Sequence, residues 1–170
     1  MKRTAELGCL LAVALILSYV ESLIPFTIGI PGIKLGLPNL IVLLLLYSAK
    51  TPAVGAREAL LVNGLRIVLA GFLFGSLYSI LYALAGAVFS FTVMAAVRRY
   101  KGLSMLGVSV LGGVFHNIGQ TVTAMAVVET SAVLYYLPIL IVAGVVTGAV
   151  IGFSGMELLP YFKRAAIVRE

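Results

Sequence analysis

The chain has 170 residues, 62% of them hydrophobic, with a mean hydropathy of +1.16, a net charge of +6 and neither Asp nor Trp. A soluble domain of this length cannot hide so much apolar surface, so the composition excludes a soluble enzyme or binding module and predicts an integral membrane protein. The basic residues flank apolar runs, so membrane topology explains the charge and no nucleic-acid partner is expected.

The length accommodates about six spans of about 20 residues. Met1-Lys2-Arg3 followed by an apolar run at 7–20 has the outline of a signal peptide. It lacks a small-residue cleavage site, and Glu21 and Pro25 end the run, so it reads as a first transmembrane helix over about 5–23. Thr4, Gly8 and Ala12 recur every four residues as a small-residue stripe, suited to docking a partner subunit or to packing within the same bundle.

The next stretch, Gly32-Ile33-Lys34-Leu35-Gly36-Leu37-Pro38-Asn39, is where the chain is expected to build a binding site. Pro31 and Pro38 remove backbone donors, and Gly32 and Gly36 loosen the backbone, so a plain helix is not expected there. The apolar run after it, 40–47, is too short to cross a bilayer by itself. Span two is therefore read as a broken element over about 33–48, with Lys34 and Asn39 near lipid depth and the irregular backbone lining a cavity. The competing reading is an ordinary outer loop with Pro38 at the first turn of a short helix.

A polar connection with Lys50, Pro52, Gly55, Arg57 and Glu58 leads to span three at about 56–72. Span four covers about 77–97, with Ser79, Ala83 and Ala87 as a second small-residue stripe, and span five about 104–128. An outer loop around 129–136 precedes span six at about 137–159, whose Gly144, Gly148 and Gly152 form a doubled small-residue run and which Pro160 ends. Ten of the twelve Lys and Arg fall on one side if both termini are cytoplasmic; only Lys34 and Arg66 do not. The expected architecture is an all-α bundle of six transmembrane helices forming a single domain over 1–170, N-in and C-in, in a bacterial plasma membrane.

Arg66 lies inside span three, where an arginine costs about 2.5–3.5 kcal/mol on insertion scales. Asn63, three residues earlier, shares its face, and Ala59 and Ala70 extend that face with small side chains. Either Arg66 serves a site or it snorkels to the interface. In span five His116, Gln120 and Thr123 share a stripe preceded by Gly112, with Asn117 beside it. These groups either face a polar cavity or bond to neighbouring helices. Glu21 is a potential partner for Lys34 or Arg66. A single Cys, Cys9, excludes an intrachain disulfide and a Cys-based metal site, and one His is too little for a metal centre. No metal and no cofactor are expected.

The first motif, Asn63-Gly64-Leu65-Arg66 with Leu69 to Ser76 after it, and His116-Asn117-Ile118-Gly119-Gln120 together resemble a bacterial membrane family described as Gx transporter or heptaprenyl diphosphate synthase component I. Size and pattern are also similar to the substrate-binding S components of energy-coupling factor (ECF) importers, six-helix proteins that dock on a coupling subunit and ATPases. That resemblance implies docking through an Ala-xxx-Ala motif on the first helix; Gly8-xxx-Ala12 is the nearest match here. The two resemblances imply different functions. Prenyl transfer uses magnesium held by Asp-rich motifs, and this chain has no Asp, so the synthase resemblance implies a non-catalytic subunit. With no Walker A motif, ATP-driven import implies partner ATPases.

The leading expectation is an S-component-like subunit that binds a small anionic solute through Lys34, Asn39, Asn63, Arg66, His116, Asn117 and Gln120. The alternative is an accessory membrane component of heptaprenyl diphosphate or quinone synthesis. A third class is a structural membrane partner whose polar residues only tie helices together.

Overall fold

The computed structural model describes residues 2–24, 35–49, 52–100 and 102–164. These contain six α-helices: α1 Lys2–Leu23, α2 Asn39–Ser48, α3 Pro52–Phe74, α4 Leu77–Val97, α5 Met105–Val128 and α6 Leu137–Arg164. Three are long and apolar enough to cross a bilayer: α1 from Arg3, α4, and α6 with the turn that leads into it. With 23 and 24 residues, α3 and α5 reach about 35 Å at about 1.5 Å per residue.

Local chemistry sets several helix ends. Ser76 caps α4 by accepting the Ser79 N–H at 3.2 Å, while the Ser79 hydroxyl accepts the Ser76 N–H at 2.9 Å. Ser104 caps α5 through the Gly107 N–H at 3.2 Å. Glu129 ends α5 in the left-handed region at φ 53°.

The helices α2, α3, α4, α5 and α6 form a closed ring, each packed on the next and α6 returning to α2. α1 stands outside this ring, mainly against α3. Small residues bring the α5 and α6 backbones together: a Cβ on Gly148 would sit 2.7 Å from the Ser109 carbonyl oxygen, and one on Gly113 would overlap the Gly144 carbonyl. Gly86 of α4 meets the His116 carbonyl of α5 in the same way.

α2 has ten residues and no polar face between Leu40 and Leu46, and such a helix belongs inside. Leu45 and Leu46 are fully buried. Ile41, Val42, Leu45 and Leu46 pack with Leu10 and Ala14 of α1 and Ala59 and Val62 of α3, while Leu43 and Leu44 pack with Met105 and Ile151. The outside of the bundle is apolar too: Ile16, Phe72, Val142 and Phe153 are each at least 60% exposed, as suits a surface facing lipid. At the opposite end from the 35–38 turn, Arg3 grips Glu58 with two nitrogens, Nε donating to Oε1 at 2.7 Å, and ties α1 to α3.

Four expectations are corrected. Pro160 does not end the last helix; it lies inside α6. Its missing donor frees only the Met156 carbonyl, on an exposed turn near the helix end. Arg57 and Glu58 belong to α3, which starts at Pro52, rather than to a connection. The 129–136 loop contains a 3-10 turn, Ser131–Tyr136, that runs straight into α6. The helical part of span two is Asn39–Ser48, with 35–38 non-helical; Pro31 to Lys34, and so the break proposed from Gly32, lie outside the described residues.

Candidate functional site

The ring encloses a cavity of about 460 Å³, within the range of small-molecule sites. Its mouth lies where α1 ends and α2 begins, beside Glu21, Gly36 and Phe74; its inner end is closed by Leu43, Met94 and Ile151. At the mouth the chain makes a tight turn. Gly36 takes φ +73°, its carbonyl accepts the Asn39 N–H at 2.8 Å, and its own N–H donates to Glu21 Oε1 at 2.5 Å. A side chain at Gly36 would be strained in that conformation.

Arg66 is the charge in the cavity wall, eight residues before the end of α3, or about 12 Å along the axis. Its Nη2 donates to Asn63 Oδ1 at 2.5 Å and, more loosely, to Asn39 Oδ1 at 3.4 Å. Nε is buried without a protein acceptor, and no hydrogen bond from Nη1 occurs among the described residues. Glu21 acts on Arg66 through space without forming an ion pair with it. Two asparagines thus fix the guanidinium while part of its donor set stays unused.

α5 supplies the facing polar groups. Gly112, His116 and Gln120 line the cavity on one stripe, with Asn117 beside them. Asn117 also ties helices together, its Nδ2 donating to the Leu140 carbonyl of α6 at 2.6 Å. Thr123 is not part of the lining; its hydroxyl returns to the Gly119 carbonyl at 3.0 Å. Among the described residues no three His, Cys, Asp or Glu side chains converge, so the donor set is amides, hydroxyls, an imidazole and a guanidinium.

Six of the seven predicted binding residues, Asn39, Asn63, Arg66, His116, Asn117 and Gln120, therefore line one cavity. Lys34 lies outside the described residues. Thr4, Gly8 and Ala12 are exposed on α1, away from the cavity, and a Cβ on Gly8 would meet nothing within 4 Å. The reading of Ser79, Ala83 and Ala87 as a packing stripe is corrected: all three border the cavity. Ser90, Ser109 and Thr147, which the sequence did not single out, line it as well. Hydroxyls in apolar helices commonly bond back to their own helix, as Thr147 does to Ala143, so nothing in their spacing marks them as site residues.

Fold and site together define an all-helical protein of membrane character with a polar, cationic cavity inside a helix ring. The chain belongs to the heptaprenyl diphosphate synthase component I family, whose model matches residues 10–158. No curated protein and no solved structure matches it.

Proposed function

We propose that the chain is a non-catalytic, membrane-embedded binding component of the heptaprenyl diphosphate synthase type, which holds the anionic head of a ligand at Arg66. The observation that carries this reading is the guanidinium inside the ring, fixed by Asn63 and Asn39, with Nε buried and unpaired. A charge in such surroundings is costly until an opposite charge joins it. The arginine fork suits phosphate or carboxylate oxygens, and the family makes diphosphate the first anion to test. The sequence has no Asp, so metal-assisted prenyl transfer falls to a separate subunit.

A second reading, the binding subunit of an ECF-type importer, is favoured by the position of the mouth. Arg3, Arg57, Arg98, Arg99 and Lys163 cluster at the opposite end of the helices. With six spans, both termini in the cytoplasm and a bacterial plasma membrane, the mouth faces outward. The exposed Thr4–Gly8–Ala12 face then docks a coupling subunit. Gentle purification followed by native mass spectrometry separates the two. Copurifying soluble prenyltransferase supports the first; a coupling subunit with ATPases supports the second and removes the first.

A further inference from the structure

We infer that the cavity selects a compact organic anion and excludes a long polyprenyl tail, with the small-residue face of α4 setting the limit. The inference rests on Arg66 as the anion anchor. Ser79, Ala83, Ala87 and Ser90 border the cavity along about 16 Å of α4 at about 1.5 Å per residue. In a membrane bundle a face of this kind ordinarily meets another backbone. α4 instead meets α5 through Gly86 and Gly119, whose added Cβ atoms would lie within 3.0 Å of the other helix. That leaves Ala83 and Ala87 bordering open space, the same space that Arg66 borders.

Size and chemistry both oppose a hydrocarbon tail. At roughly 30 Å³ per water-sized group, the 460 Å³ cavity holds on the order of fifteen non-hydrogen atoms, whereas a heptaprenyl chain has about thirty-five carbons. The inner part carries the Ser90, Ser109 and Thr147 hydroxyls, and the mouth carries Glu21 and Ser22. A tail leaving Arg66 in either direction meets polar groups and deprives them of water without pairing them. A short ligand that keeps to the level of Arg66, Ala83 and Ala87 meets no such penalty.

The test uses the whole chain in lipid nanodiscs and three probes: inorganic diphosphate, isopentenyl diphosphate and heptaprenyl diphosphate, with binding read by calorimetry. Heptaprenyl diphosphate is expected to bind at least about tenfold more weakly than isopentenyl diphosphate. Ala87→Phe should weaken isopentenyl diphosphate by at least about tenfold while inorganic diphosphate stays within about twofold. If Ala87→Phe does not fold, Ala83→Met, one turn nearer the mouth, makes the same comparison. Isopentenyl diphosphate binding no better than the heptaprenyl form, or a plug that affects both smaller probes alike or neither, overturns the size limit. Absence of inorganic diphosphate binding in wild type, or equal binding by Arg66→Gln, instead removes the anion anchor and the inference with it.

Discussion

Arg66 and Asn63, one helical turn apart on α3, are joined by a hydrogen bond from Nη2 to Oδ1 at 2.5 Å. The asparagine does not neutralise the charge; it orients it. With Nη2 committed to amide oxygens, any anion must use the remaining edge of the guanidinium, so position and direction of approach are set by α3 itself.

Arg66→Gln is expected to weaken inorganic diphosphate binding by at least about tenfold, roughly 1.4 kcal/mol, without lowering the folded yield. Removing an incompletely paired buried charge does not destabilise a bundle in the way that removing its partner does. Arg66→Lys should recover only part of the affinity, because an ammonium lacks the planar fork. Calorimetry with size-exclusion yield checks both; a parallel fall in yield and binding would point to a structural role.

The α5–α6 contact depends on absent side chains. Gly148→Leu should lower stability by at least about 1–3 kcal/mol, because even its Cβ would lie 2.7 Å from the Ser109 carbonyl oxygen and Val110 Cα. Gly64 is the control: nothing lies within 4 Å of its added Cβ, so Gly64→Ala should stabilise α3 by roughly 0.5–1 kcal/mol. Thermal unfolding in detergent compares the two, and equal midpoints would contradict the close backbone approach.

The Arg3–Glu58 pair is only partly shielded, the side chains being 28% and 12% exposed. A double-mutant cycle with Arg3→Gln and Glu58→Gln should therefore give a coupling of about 1 kcal/mol, reduced by added salt. Limited proteolysis should show α1 released earlier in either single variant. Strict additivity of the two changes would mean that the pair does not hold α1 to α3.

Gly8→Leu should leave unfolding unchanged, since the space around Gly8 is open. If the exposed α1 face docks a partner, the same variant should lose that partner on copurification. A drop in the unfolding midpoint would show instead that this face packs within the bundle.

Much of the local structure was legible because local geometry is periodic. α4 runs over the expected 77–97, and Arg66 meets Asn63 because residues three apart on a helix are neighbours. The burial of α2 follows from its lack of any polar face. Pro160 misled because proline weakens one bond of a helix, and an exposed end tolerates that loss.

By itself, the sequence determined that this chain is helical, suited to lipid, and burdened with a few polar groups that require partners. Only the tertiary structure decided which groups meet. Periodicity states which residues share a face but not what that face borders, and in a membrane both lipid-facing and bundle-facing surfaces are apolar, so hydropathy cannot separate them. Ser79, Ala83 and Ala87 have the same spacing as Gly144, Gly148 and Gly152; the first set borders a cavity and the second a helix. That difference is set by the closure of five helices into a ring, a sum of contacts between segments far apart in the chain.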